Sequence, residues 1–170
     1  MPILKATLND VSELNTLVNS AYRGEGSKMG WTTEADILDG IRIDEPTLQS
    51  YLESTEVTIL KYVDESGKII GTVYLEEKED KLYLGMFSVS PALQNLGIGK
   101  ALMEEAERIA KAKSKTMMSI TVIEGRNELI AWYERRGYAF TGETKPFDGP
   151  ELFGIPRKPL TFIGMEKPID

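Results

Sequence analysis

Residues 82–123 constrain the fold more than any other part of the chain. Leu82-Tyr83-Leu84-Gly85-Met86-Phe87-Ser88-Val89 is apolar on both alternating faces, the pattern of a central strand covered from two sides. After a turn holding Gly97 and Gly99, Ile98, Leu102, Ala106, Ile109 and Ala110 recur at helical spacing as far as about Lys113. Met118, Ile120 and Val122 then alternate with Ser119 and Thr121 between Thr116 and Ile123, which predicts a strand. Strand, helix and strand in that order form a crossover, so the two strands are expected to run parallel. Within the helix, acidic Glu104, Glu105 and Glu107 precede Lys111 and Lys113, which suits the helix dipole. Glu104 with Arg108, and Glu107 with Lys111, are spaced for i,i+4 pairing. Gly85 marks a bulge or a close backbone approach inside the first strand.

The flanking segments extend this unit. Residues 2–8 predict an edge strand. Asp10 is expected to open a helix, with Glu13 in the capping-box position and Val11, Leu14, Leu17, Val18 and Ala21 as its apolar stripe. Gly24, Gly26 and Gly30, followed by Trp31, predict a loop; helical pieces follow over about 33–41 and 46–52. Strands around Val57–Leu60 and over Ile69–Leu75, joined by a polar turn at 64–68, complete an antiparallel meander with the central strand. Past the crossover come a short helix over 128–136, capped by Gly137, and strands over 138–144 and 160–166. Pro146, Pro150, Pro156 and Pro159 make the segment between those strands a long loop and a candidate for function. With no repeat and no compositional break, 1–170 reads as a single α/β domain. A mixed, mostly antiparallel sheet with helices on both faces and one parallel pair is expected.

The chain has 170 residues with no Cys and no His. That excludes disulfides, thiolate nucleophiles, Cys-ligated zinc, a Ser-His-Asp triad and an imidazole base, and no metal site is expected. Chemistry falls to carboxylates, hydroxyls, phenols, Lys, Arg, backbone groups or a bound cofactor. The 20 basic against 27 acidic residues, a net charge of −7, argue against a nucleic-acid partner and suit cationic amines. No run approaches the roughly 18 apolar residues of a membrane span. The stretch from Met1 to Ala6 lacks the apolar run of a secretory leader, so a cytoplasmic location and no membrane partner are expected.

The turn between central strand and helix is the clearest candidate site. Two glycines at a helix entrance let a ligand approach the main chain, and the first-turn amides with the dipole suit phosphate. A tight turn accounts for two glycines equally well. A dinucleotide fingerprint is excluded by Leu102, and a Walker loop by Gln94 and Ala101. Gln94-Asn95-Leu96-Gly97-Ile98-Gly99 does match the pattern Q/R-x-x-G-x-G/A, and Ala131-Trp132-Tyr133-Glu134-Arg135-Arg136-Gly137-Tyr138 matches A-x-x-Y-E-x-x-G-F/Y. With both motifs in register, the chain resembles the GNAT N-acetyltransferase superfamily, closely over about residues 82–144. Many members place Asn seven residues before this Tyr; here Arg126 stands there and Asn127 follows.

The resemblance implies a GNAT-like sheet whose parallel strands splay into a wedge for acetyl-CoA, the cofactor. It places Phe87, Ser88 and Val89 along pantetheine, and the pyrophosphate on Gln94, Asn95, Leu96, Gly97, Ile98, Gly99 and Lys100. Tyr133 is the implied catalytic acid, since a phenol of pKa about 10 is protonated at pH 7 and can donate to a departing thiolate; as a plain helix aromatic it would serve the core instead. The implied activity is direct acetyl transfer to a primary amine in a ternary complex, the acceptor being a small-molecule amine or a protein N-terminus. The alternatives are a non-catalytic acyl-CoA-binding or sensing module and a binder of another phosphorylated ligand. Trp31 and Glu34 are candidate acceptor-site residues, though Trp31 also reads as core cover. Glu34, Glu76, Glu77 and Glu124 are the candidate bases, and the resemblance leaves a homodimer open.

Overall fold

The described residues build a seven-stranded sheet from β1 (Ile3–Lys5), β3 (Val57–Val63), β4 (Ile69–Glu77), β5 (Lys81–Val89), β6 (Met117–Ile123), β7 (Ala139–Pro146) and β9 (Thr161–Pro168). They lie in the order β1-β3-β4-β5-β6-β9-β7. A computed structural model describes residues 3–22, 38–39, 43–93, 96–146, 155–156 and 161–169. Every described pairing in this sheet is antiparallel except β5 with β6, which is parallel. The meander and the crossover are therefore as the apolar pattern predicts. The last strand, β9, enters between β6 and β7, leaving β7 at the edge.

Among the described residues four helices cover the sheet: α1 (Val11–Tyr22) and α2 (Glu45–Glu53) on one face, α3 (Ile98–Ala112) and α4 (Asn127–Glu134) on the other. Leu14, Val18 and Leu48 pack with Ile43, Ile59 and Met86 beneath α1 and α2. Leu102, Ala106 and Ala110 pack with Leu84, Met118 and Ile120 beneath α3. Helix α3 sits close because β4 carries Gly71 under it; a Cβ there would lie 2.9 Å from Ile98 Cγ2 and 3.1 Å from Leu102 Cδ1.

Several local expectations are corrected. The capping box lies three residues earlier than Asp10–Glu13: Thr7 and Asp10 form it around a 3-10 turn, Leu8–Asp10, that leads into α1. Glu13 instead accepts from the Ile69 N–H at 2.7 Å, tying α1 to β4. The 33–41 helix is not found at Leu38–Asp39, which form β2 and pair antiparallel with β8, Ile155–Pro156; the rest of that segment lies outside the described residues. Two-residue strands joined across more than a hundred positions have no periodicity to read. On α3, Arg108 pairs with Glu105 rather than Glu104, and Glu107 pairs with Lys167 of β9 at 2.9 Å. Only the tertiary structure brings Lys167 within reach. The second predicted helix is α2, capped by Asp44, whose carboxylate accepts from Thr47 N–H at 2.9 Å.

Candidate active site

The site begins with an extra residue in β5. Thr72 stands opposite Ser88, but Tyr74 stands opposite Gly85, so Met86 and Phe87 share the place across from Val73. Met86 takes a left-handed φ of 48°, a conformation that costs a non-glycine residue about 1–3 kcal/mol. The irregularity expected at Gly85 thus falls on the next residue. It reverses the alternation of the strand. Leu82 and Leu84 face α3; Met86 goes to the α1 side; Phe87 and Val89 return to the α3 side. Ser88, fully buried, turns its hydroxyl back to donate to Met86 O at 3.1 Å.

Next to this bulge the parallel strands part. Their register runs from Lys81↔Met117 to Tyr83↔Ser119 and stops. Strand β5 continues against β4 to Val89, and β6 continues against β9 to Ile123. Both strands persist while the ladder between them ends, which opens a wedge toward their C-terminal ends. At its floor the Tyr83 hydroxyl lies 3.1 Å from Thr121 Oγ1, bridging the two strands where they separate. The Tyr83 ring leans over Gly85, within 3.5 Å of where a Cβ would stand.

Helix α3 starts at the open end of the wedge. Ser90 N–H anchors the exit of β5 to Ile70 O at 2.9 Å, and a 3-10 turn over Pro91–Leu93 follows. Gly97 is the N-cap of α3 with φ 84° and no side-chain cap. It accepts the first helical bond, Ala101 N–H to Gly97 O at 3.0 Å, so the amides of Ile98, Gly99 and Lys100 have no acceptor within the helix. The two glycines do different work. Gly97 is needed for its left-handed φ, with nothing within 4 Å of a Cβ position. Gly99 makes room for Phe87, whose Cζ would lie 2.7 Å from a Cβ there. Leu96 is 68% exposed and Lys100 is exposed beside them; Gln94 and Asn95 lie outside the described residues.

Tyr133 reaches this region through an aromatic chain. Phe87 packs on Trp132 (centroids 5.4 Å), Trp132 meets Tyr133 edge-on (5.2 Å), and Tyr133 meets Tyr138 edge-on (5.5 Å). Tyr133 is 5% exposed and belongs to the core cluster that includes Phe87, Val89 and Ile98. A left-handed Gly137 ends α4, and Tyr138 N–H returns to Tyr133 O at 3.1 Å, the closure of a Schellman turn. At the other end Arg126 is the N-cap, with no side-chain cap bond. The Arg136 guanidinium lies 3.6 Å over the Trp132 ring, and its burial, with Arg135 nearby, lowers its pKa. Burial and the charge of Glu107 push the Tyr138 phenol well above the usual tyrosine range.

Phe87, Val89, Ile98 and Tyr133 share one core cluster, with Ser88 on the same strand and Gly97, Gly99 and Lys100 at the start of α3 beside it. Trp31 and Glu34 lie outside the described residues. Among the other carboxylates, Glu77 is held by Lys113 (3.0 Å) and Lys115 (3.7 Å) at the start of β5, away from Val89. Glu124 is exposed. Glu76 accepts from Tyr74 Oη at 2.9 Å and pairs with Lys78 at 3.1 Å; burial opposes ionisation, but these bonds hold its carboxyl below the ordinary range. Tyr83 and Thr121 belong to no motif; the signal at Tyr83 is a phenol in an apolar strand, two residues from a glycine. Among the described residues no three acidic groups cluster in a way that would hold a metal ion, and no helix is long and apolar enough to cross a membrane.

Known proteins share this architecture. The ribosomal-protein-S18-alanine N-acetyltransferase of Escherichia coli superposes with a TM-score of 0.74 at 17% identity, over 99% of this chain and 94% of that one. The PaiA N-acetyltransferase of Thermoplasma acidophilum, solved in complex with coenzyme A, gives 0.69 at 18% identity, over 98% of each chain. At such identities the likeness is one of fold. In sequence, 79 residues are 33% identical to the uncharacterized protein YdhI of Bacillus subtilis (strain 168), covering 46% of this chain and 48% of that protein. The match thus spans about half the length of that relative. The model of the acetyltransferase (GNAT) family matches residues 30–138, a span that takes in the parted strands, α3 and the Tyr133 helix, and the chain belongs to that family.

Proposed function

We propose that this protein is an acetyl-CoA-dependent N-acetyltransferase that passes the acetyl group directly to a primary amine in a ternary complex. The observation that carries the reading is the parting of β5 from β6 beside a helix start whose first-turn amides have no helical acceptor. Those amides, on Ile98, Gly99 and Lys100, suit a diphosphate together with the dipole of α3. Among the described residues nothing stands within 4 Å of a Cβ position at Gly97, which leaves the turn room for a ligand. The matched motif assigns Gln94, Asn95 and Leu96 to the same diphosphate, and the β5 edge from Phe87 through Ser88 to Val89 would lie along pantetheine. When bound, acetyl-CoA supplies a thioester whose carbonyl carbon accepts an amine and whose sulfur departs as a thiolate.

The chain's own groups do the rest. The Tyr133 phenol would give its proton from Oη to the departing sulfur and be reprotonated by the proton that the attacking nitrogen sheds, directly or through water. Its orientation is set by edge contacts to Trp132 and Tyr138 and by the closed turn after α4. The acceptor is a small amine or a protein N-terminus. Calorimetric titration with coenzyme A, followed by thiol release from acetyl-CoA across an amine panel, tests the reading. Saturable coenzyme binding with amine-dependent thiol release is expected. Absence of coenzyme binding would overturn the proposal; binding without turnover on any amine would favour a sensing module instead.

A further inference from the structure

The wedge has a second face, opposite the α3 amides, and its chemistry is distinct. The side chains of Phe87, Val89, Ile98 and Tyr133 all belong to the cluster on the α3 side. On the other side, the floor is made of hydroxyls and rings. Tyr83 and Thr121 Oγ1 share a solvent-accessible hydrogen bond of 3.1 Å. The Tyr83 ring meets Tyr74 edge-on with centroids 6.3 Å apart, and Tyr74 meets Tyr51 in the same way at 4.8 Å. Tyr74 donates its hydroxyl to Glu76, which lies opposite Tyr83 in the ladder. Gly85 leaves the space above Tyr83 clear of any side chain of its own.

Two linked hydroxyls use one proton in their mutual bond; the accepting oxygen keeps its own O–H, and the lone pairs left on the two oxygens can receive N–H donors. Phenol ring faces attract cations and repel anions. The Glu76 carboxylate at the same edge already holds Lys78 at 3.1 Å, so the attraction rests on the hydroxyls and the rings, in a chain that carries −7 as a whole. We propose that the Tyr83–Thr121 hydroxyl pair, beside the Tyr74 ring, receives the ammonium group of a cationic primary amine at the floor of the wedge. This rests on the acetyl-transfer reading for its purpose, but the binding it describes is independent of turnover. Tyr83 is an acceptor-binding residue in this assignment, and Gly85 keeps its site open.

The test is an NMR titration of the isotope-labelled full chain with putrescine, run with and without saturating coenzyme A. Saturable shifts at the Thr121 methyl and the Gly85 amide are expected. Tyr83→Phe and Thr121→Val each remove one hydroxyl while keeping the shape. Each is expected to weaken putrescine about fivefold, the worth of one hydrogen bond, and to leave coenzyme A affinity within about twofold. Gly85→Ala, whose Cβ meets only ordinary contacts, is expected to weaken the amine as well. Putrescine shifts confined to other residues, or titrations of both hydroxyl variants that match the parent, would overturn the assignment. Coenzyme binding without amine shifts would remove this subsite and leave the transferase reading standing. Amine shifts in a chain that does not bind coenzyme A would do the reverse.

Discussion

Replacing Gly99 by Ala isolates the contact that joins α3 to the wedge. The new methyl would stand 2.7 Å from Phe87 Cζ, roughly 1 Å inside the 3.5–4.0 Å optimum for carbon pairs. Phe87 is 2% exposed and tilted against Trp132, so its ring has no empty space to enter. Overpacking of this kind costs about 1–3 kcal/mol, while Ala in place of Gly returns at most about 1 kcal/mol of helix propensity. With the full return the net loss is up to about 2 kcal/mol. For a chain of this size that lowers Tm by up to about 8 °C. Urea denaturation of the parent, Gly99→Ala, Phe87→Leu and the double variant measures the coupling directly. In the Phe87→Leu background the offending ring atom is gone, so Gly99→Ala should be neutral or stabilising there. An equal effect in both backgrounds, or a stabilised single variant, would refute the assignment of Gly99 to Phe87.

Tyr133→Phe should lower kcat by about 10²–10⁴-fold, the usual range for losing a general acid; calorimetry should show coenzyme A affinity nearly unchanged, and full kcat would remove the residue from the mechanism. Leu102→Ala, at a side chain with no exposed surface between α3 and β4, should cost about 2–5 kcal/mol in chemical denaturation. Asp10 gives a pH signature. Burial raises its pKa, but the Thr7 amide and Lys61 (2.9 Å) outweigh it and leave the carboxyl below its ordinary value. A depressed pKa contributes stability that is complete above the unfolded value, near 4, and is lost as pH falls through the folded value. The stability difference between parent and Asp10→Asn should therefore be constant near neutrality and shrink below about pH 4. A difference that stays level down to pH 2.5 would contradict the pair.

The elements legible in the sequence are those whose signals are local and repeated. Helix α3 shows its stripe over four turns, and the alternation of Met118, Ile120 and Val122 marks β6 without ambiguity. Parallel pairing follows from their order. The bulge was less legible. Gly85 drew the irregularity by its residue type, yet Met86 carries the positive φ, because the two cores demand a parity change that no single residue announces. Gly99 drew a ligand reading while its missing side chain accommodates Phe87. A glycine reports that something comes close; it does not report what. Tyr83 and Thr121 went unnoticed because their partnership crosses two strands at the point where the ladder ends, a property of register alone.

That parity change also accounts for how one strand serves both faces of the wedge. With strict alternation, Leu82 and Leu84 on the α3 side would be followed there by Met86 and Ser88. Phe87 and Val89 would then point toward α1, and no ring would bridge α3 to Trp132. The extra residue places Met86 under α1 and returns Phe87 and Val89 to α3. Below the bulge, Tyr83 keeps the opposite orientation and floors the other face. A single left-handed residue therefore separates a stretch that faces the helix amides from one that faces open hydroxyls. The cost of Met86's conformation, about 1–3 kcal/mol, is small beside the core contacts of Phe87 and Val89 that depend on it, each worth about 1.5–3 kcal/mol when buried. The strained residue is thus stable in place, and the two-faced wedge follows from it.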